Sequence, residues 1–258
     1  MPKINKDSTL NITFVGIGLC LLCSAIISFI AIQLRSVQEN NVVLDMQKKI
    51  VSSAGLEKVY GSVENAMSNI KTLIIDLDKG EIVNINPDSY ELAKELREDG
   101  KYKFLSAEED VASIKKREKY SKIYIEYKDN EINTLILPVR GYGLWGILYG
   151  YLAIEGDFNT VAGLEFYEHK ETPGLGAEID NPKWKALWKG KKIYQENGEV
   201  SLKVIKGSVL ETSNNFNYEI DGLSGATLTC NGVSNLIAYW MGNDGFLNFI
   251  NNLQKIDV

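Results

Sequence analysis

The sequence predicts an α+β protein: a single N-terminal transmembrane helix, then a domain built on an antiparallel sheet with flanking helices. Three observations point there. No charged residue occurs between Ser8 and Leu34. Beyond that stretch, short apolar runs rich in β-branched and aromatic residues alternate with Gly, Asn and Asp turns. Near the C-terminus the period changes: Val233, Leu236, Ile237 and Trp240 fall at helical spacing.

Composition narrows the function. The chain has 258 residues, a net charge of −6, 45% hydrophobic and 24% charged residues, which is ordinary folded protein with room for one or two domains. An acidic balance argues against a nucleic-acid partner, which selects basic surfaces. A single His excludes a Cys2His2 zinc site and argues against a His-based catalytic metal. Three Cys cannot form a disulfide framework.

The apolar core Ile12–Ile32 spans roughly 32 Å as a helix at about 1.5 Å per residue, against a hydrocarbon core of about 30 Å. A cleaved signal peptide has an apolar run of about 7–15 residues and small residues at its cut site. This run is longer, and Phe29-Ile30-Ala31 puts a bulky residue where a small one is needed. The segment therefore reads as an uncleaved anchor. Lys3 and Lys6 precede it and Arg35, Lys48 and Lys49 follow it, so charge bias alone does not fix the topology. The cations just before the span favour a cytoplasmic N-terminus. Cys20 and Cys23 have C-x-x-C spacing but sit in the apolar run, where thiolates are disfavoured. Together with Gly16 and Gly18 they read as small residues at a helix contact.

Three parts follow: the tip and anchor over 1–34, a juxtamembrane helix over 35–55, and a domain over 56–258. In the second part Val43, Gln47, Ile50 and Ala54 lie near one stripe, with Gly55 as the stop. In the third, Leu73–Leu77 reads as a strand ended by Asp78-Lys79-Gly80, and Pro87–Arg97 as a helix. Lys122–Tyr127 and Thr134–Val139 read as a hairpin across Asp129-Asn130. Ile147–Ile154, Val161–Tyr167 and Ser201–Ile205 read as further strands, the last after a helix around Trp184.

Three loops could carry chemistry. Arg140-Gly-Tyr-Gly-Leu-Trp-Gly146 combines close-approach glycines with aromatic faces. Glu171-Thr-Pro-Gly-Leu-Gly176 is a rigid, narrow loop with an apolar tip at Leu175. Asp221-Gly-Leu-Ser-Gly-Ala-Thr-Leu-Thr229 runs into the last helical pattern, with Thr229 as its N-cap. The small residues Ser224, Gly225, Ala226 and Thr227 then lie at the positive end of a helix, which favours an anion such as phosphate. The stretch Asp221–Thr229 is neither a Walker loop nor a dinucleotide-binding fingerprint, since it carries neither glycine pattern. Each loop also has a plain reading, as a turn or a helix start.

Ser224-Gly225-Ala226-Thr227, preceded by Asp221, resembles the flavin-attachment motif of the FMN-binding domain family. In that family the cofactor is joined to a threonine by a phosphoester. The order of anchor, Gly-Tyr-Gly-Leu-Trp-Gly, Glu-Thr-Pro-Gly-Leu-Gly and Asp-Gly-Leu-Ser-Gly-Ala-Thr-Leu-Thr is similar to the NqrC family of Na+-translocating NADH:quinone reductases along essentially the whole chain. The resemblance implies FMN attached through its phosphate to Thr227. It implies phosphate contacts from Ser224, Thr229 and the backbone of Gly225, Ala226 and Leu228. Trp145 and Leu175 would bracket the ring, and Thr172 or Gly174 would bond its polar edge. It further implies an electron-transfer subunit of a complex that couples NADH oxidation and ubiquinone reduction to Na+ export. The partners would be the other subunits, among them another flavin-bearing membrane subunit, with a flavin transferase for maturation. The domain would be periplasmic on a single-pass anchor in a bacterial inner membrane.

Two other readings compete. The homologous flavoprotein of the Rnf ferredoxin:NAD oxidoreductase shares the motif, but the stretch Leu56–Glu131 favours the quinone reductase. A membrane-anchored binding or assembly subunit without redox chemistry accounts for the anchor but not for the motif. No general base is needed for electron transfer, so His169 is expected to have no catalytic role. Cys230, near a helix start, could have a lowered thiol pKa. The sequence leaves open whether Leu56–Glu131 is core or a docking surface.

Overall fold

The computed structural model describes residues 8–256; Lys3 and Lys6, whose charges bear on topology, lie outside the described residues. The chain divides into two compact units at Met46–Gln47.

The first unit is helical. Among the described residues it consists, from Thr9 onward, of helix α1 (Thr9–Ser53), and the apolar side chains from Leu10 to Leu34 are exposed along that helix. A helix of this length and apolar composition is consistent with a membrane anchor.

The second unit begins with the last turns of α1. That helix ends in a Schellman motif: Gly55, at φ +66°, donates its N–H to Ser52 O, and Leu56 donates to Val51 O. Val51 and Leu56 are both buried, supplying the apolar contact that accompanies the motif. Next come α2 (Glu57–Tyr60), α3 (Val63–Ser68), β1 (Ile70–Asp76), β2 (Glu81–Val83), α4 (Leu92–Glu95), β3 (Tyr102–Phe104), β4 (Lys116–Glu118), β5 (Tyr120–Lys128) and β6 (Glu131–Tyr142). Then follow β7 (Ile147–Glu155), β8 (Val161–Glu168), α5 (Pro182–Ala186), β9 (Lys203–Val204), β10 (Glu219–Ile220), α6 (Thr227–Trp240) and α7 (Leu247–Ile256).

Six strands form one antiparallel sheet in the order β2-β1-β5-β6-β7-β8. Its register explains the apolar runs. Ile125 pairs with Leu135 and Leu135 with Ile154, all facing a core completed by Val233, Leu236, Ile237 and Trp240 of α6. One residue along, Tyr124 pairs with Ile136 and Ile136 with Ala153; these face Ile50, Val51, Leu56 and Ala66. A sheet covered on both faces needs apolar residues at successive positions. The hairpin between β5 and β6 turns at Asp129 and Asn130, both at positive φ, as a two-residue type I′ turn requires.

The stretch Leu56–Glu131 supplies β1, β2 and β5, so it is core rather than an appendage. Two expected elements differ. Pro87–Arg97 is not one helix: a 3-10 turn (Pro87–Ser89) capped by Asn86 is followed by extended Tyr90 and Glu91 before α4. The Tyr90 hydroxyl donates to Tyr120 O at 2.9 Å, and this contact with β5 needs the extended backbone. Ser201–Ile205 shortens to β9, which pairs in parallel with β10. Ser201 donates to Ile193 O outside the ladder, and Val204 donates to Ser234 Oγ at 2.9 Å.

A buried ion pair fixes the end of β6. The Arg140 guanidinium meets both carboxylate oxygens of Glu118, at 2.6 and 2.8 Å, and also donates to Lys116 O at 2.9 Å. Trp240 Nε1 of α6 donates to Arg140 O at 2.7 Å. Arg140→Leu leaves Glu118 buried without its counter-charge and is expected to cost about 3–5 kcal/mol of stability. Urea unfolding of the detergent-solubilised chain measures this. A change below about 0.5 kcal/mol would show that the pair is not a fixed part of the fold.

Candidate functional site

The site forms where three loops meet at the end of the sheet. The first joins β6 to β7. These strands stay paired up to Tyr142 and Ile147, leaving residues 143–146 as a tight connection closed by Gly143 N–H to Gly146 O at 2.8 Å. The N–H groups of Leu144 and Trp145 turn inward together, and the Trp145 side chain is 61% exposed.

Both inward N–H groups reach one acceptor, Glu171 Oε1, each at 3.0 Å. Glu171 lies just after β8 and is only 5% exposed. Its other oxygen, Oε2, accepts from the Thr229 hydroxyl at 2.5 Å. Glycines let the loops approach this closely: a Cβ on Gly143 would sit 2.7 Å from Oε1, and one on Gly176 would sit 2.5 Å from Oε2. His169 holds the same segment from the other side. Its Nδ1 accepts the Glu171 N–H at 3.2 Å and its Nε2 meets Asp180 Oδ2 at 2.8 Å, which places the ring proton on Nε2.

The second loop continues from Glu171. Leu175 and Ala177 donate to Thr172 O, each at 3.1 Å, folding Thr172–Gly176 into a projecting turn. Thr172 and Gly174 are exposed, and Leu175 at the tip is 44% exposed. A Cβ on Gly225 would lie 2.9 Å from Leu175 Cδ2, so this tip rests against the third loop.

The third loop is a turn from Leu223 to Ala226, closed by Ala226 N–H to Leu223 O at 3.2 Å. Gly225 occupies its third position at φ +73°, the geometry of a type II turn. Helix α6 starts at once with Thr227, and its N-cap, Ala226, provides no side-chain acceptor. Among the described residues, no side chain caps the first-turn amides. Ser224, Gly225, Thr227 and Leu228 are exposed; Ala226 is buried. A cleft of about 420 Å³ runs beside the turn, lined by Ser224, Gly225 and Thr227 on one side and by Lys206, Ser208 and Asn231 among others. Asp221 is structural here: its carboxylate accepts from Val209 N–H at 2.7 Å and its carbonyl from Trp184 Nε1 at 2.8 Å.

One reading of this stretch is corrected. Thr229 is not the N-cap of α6, because that helix begins two residues earlier, at Thr227. It lies in the first turn, fully buried, with its hydroxyl committed to Glu171. Glu171 itself was visible only as the first letter of a loop motif, with no role attached. Lys206, Ser208 and Asn231 carried no local signal, since the cleft assembles from distant segments. The expectation for Cys230 also reverses. Burial pushes its thiol pKa up, outweighing the hydrogen bond from Leu223 N–H that pulls it down.

Known proteins are similar to this chain in sequence and in fold. The family model for the FMN-binding domain matches residues 143–242, which include all three loops. The NqrC protein of the Na(+)-translocating NADH-quinone reductase of Pseudomonas aeruginosa is 45% identical over 256 residues, 97% of this chain and 98% of that protein. Its counterpart in Vibrio anguillarum is 40% identical, covering 95% of each. The crystal structure of Shewanella oneidensis NqrC superposes with a TM-score of 0.73 at 31% identity, over 81% of this chain and 96% of that one. The crystal structure of the equivalent Parabacteroides distasonis protein gives 0.60 at 28% identity, over 84% and 96%.

The buried state of Cys230 has a direct consequence. In the folded chain at neutral pH, its alkylation by iodoacetamide is expected to be far slower than that of a free thiol and to recover on unfolding in urea. Peptide mass mapping reads this, and rapid labelling of the native protein would contradict the burial described above.

Proposed function

Because the chain belongs to the NqrC family of Na+-translocating NADH-quinone reductases, we propose that it serves that complex as a membrane-anchored electron carrier with FMN esterified through its phosphate to Thr227. The flavin-bearing electron-transfer role and the assembly with other subunits of the complex follow from that membership. The point of attachment rests on the site. The observation that carries it is the position of Thr227: an exposed hydroxyl on the first residue of an uncapped helix, at the edge of a cleft.

The chain's own groups fit a phosphoester there. The free amides of the first turn of α6 and the helix dipole favour an anion. The Lys206 side chain lines the same cleft and adds positive charge. Ser224 is exposed next to Thr227 on that cleft and offers a hydroxyl. Gly225 keeps the turn narrow enough for Leu175 to lie against it. Trp145 and Leu175 present apolar faces on which a flat ring can rest, and Thr172 and Gly174 offer polar groups along the same loop. Thr229 contributes from behind, by holding Glu171. FMN supplies reversible one- and two-electron chemistry when bound. The protein's part is to fix the cofactor and shield it, and nothing in that task calls for a general base. A flavin transferase would form the ester during maturation. Electrons would pass to or from another flavin-bearing membrane subunit.

The anchor reading extends to topology. A cytoplasmic N-terminus with the domain in the periplasm rests mainly on the resemblance to the NqrC family, because cations lie on both sides of the span, Lys3 and Lys6 before it and Arg35, Lys48 and Lys49 after it. An alkaline phosphatase fused to the C-terminus is expected to be active in cells; activity only after lysis would reverse the orientation.

Attachment is tested by mass. Chain produced with a flavin-attaching enzyme is expected to carry an FMN-sized addition on the peptide containing Thr227. Thr227→Ala should lose the addition and the yellow colour, while Thr227→Ser retains a hydroxyl and should keep some of both. An addition that persists in Thr227→Ala would move the ester elsewhere.

A further inference from the structure

Resting on the reading that FMN is held at Thr227, we propose that Glu171 is the positioning residue of the flavin site and that its buried negative charge sets how strongly reducing the bound flavin is. The geometry is specific. One carboxylate accepts from Leu144 N–H, Trp145 N–H and the Thr229 hydroxyl, and so ties together all three loops of the site. The segment that bears Glu171 continues directly into the Leu175 turn, and Leu175 rests on Gly225. Movement of Glu171 therefore displaces the Trp145 loop, the Leu175 loop and the first turn of α6 together.

A tie of this kind does not need a charge. A glutamine of the same shape could accept both amides on its oxygen and donate from its nitrogen to Thr229 Oγ1. Burying a carboxylate instead carries a desolvation penalty. Among the described residues, no Lys, Arg or His nitrogen lies within ion-pair distance of Glu171, so its charge is answered only by amide dipoles and a hydroxyl. Such a charge projects into the loops it holds. An electron received at the site without a proton adds negative charge near a fixed anion that is itself buried at 5% exposure and so held away from bulk solvent. The reduced state is thereby disfavoured and the flavin becomes a stronger donor to the next centre.

The test uses the full-length chain in detergent, produced with the flavin-attaching enzyme, as wild type, Glu171→Gln, Glu171→Ala and Thr229→Val. Adduct mass is read first. A wild type without FMN on Thr227 would end the attachment reading, and this inference with it, before any potential is measured. With the adduct present, a spectroelectrochemical titration and amide hydrogen exchange separate charge from positioning. Glu171→Gln is expected to favour the reduced form at least about tenfold, a rise of about 59 mV for a one-electron step, while the Leu144 and Trp145 amides stay slow to exchange. Thr229→Val keeps the charge while removing one of its three donors, and should shift the potential less than Glu171→Gln does. Glu171→Ala should lose protection at Leu144 and Trp145, even in the flavin-free chain. A Glu171→Gln protein that titrates with wild type overturns the electrostatic role. Unchanged amide protection in Glu171→Ala overturns the positioning role. If Glu171→Ala does not fold, the Gln and Val variants still decide the electrostatic claim, and faster exchange at the two amides in Thr229→Val reads the positioning claim.

Discussion

The contact on which the site depends is between one carboxylate and three donors. Glu171 gathers two amides from the β6–β7 connection and a hydroxyl from the start of α6. None of these segments is near another in sequence. Loops that carry function are normally positioned by a rigid scaffold. Here a buried acid is a principal tie between scaffold and loops, with His169 holding the Glu171 segment from the other side. The glycines follow from it, because any side chain at Gly143 or Gly176 would occupy the space of the carboxylate oxygens. Glycines that read in the sequence as places of close approach serve, at Gly143 and Gly176, for close packing against this carboxylate.

The sheet provides the rest of the rigidity. Its two faces are both covered, so the ends of β6 and β7 cannot splay without breaking a core on either side. The Arg140–Glu118 pair and the Trp240 indole then fix the last residues of β6 just before the functional loop. Such bracing suits an electron carrier. Fast transfer benefits from surroundings that are already arranged and need little reorganisation when charge moves. A site held at both its strand and helix ends meets that requirement better than one carried on free loops.

Much of this was legible in the sequence, for identifiable reasons. The anchor announced itself through an uninterrupted apolar run, the five main strands through apolar stretches, and α6 through its spacing. The Asp129-Asn130 turn was readable because few residues tolerate positive φ. What failed had a common cause. Pro87–Arg97 has helical composition, yet the Tyr90 contact with β5 breaks it into two short turns. Ser201–Ile205 has strand composition, yet only two of its residues find a partner strand. In both, tertiary contacts overrode local preference. Glu171 went unassigned because an acid before Thr-Pro-Gly looks like an ordinary polar loop residue; its burial depends on two segments elsewhere in the chain. The stretch Leu56–Glu131 could be called neither core nor surface until the register of β1 and β5 was known.

The misplaced helix start is the most informative of these differences. A helix of this length is expected to begin with Ser, Thr, Asp or Asn, whose side chain takes up a first-turn amide; Ala in that place costs about 0.5–2 kcal/mol. The segment contains two threonines and a serine, yet the N-cap is Ala226. Thr229 is drawn inward by Glu171, and Ser224 is set back by the turn. The chain thus spends its capping hydroxyls elsewhere and leaves the amides beside Thr227 without an acceptor. Local rules are broken chiefly where function requires it. Under the proposed attachment, the phosphoester oxygens are the missing acceptor. Cofactor and helix then stabilise each other: the ester completes the first turn, and the turn holds the ester at the edge of the loops that Glu171 has gathered.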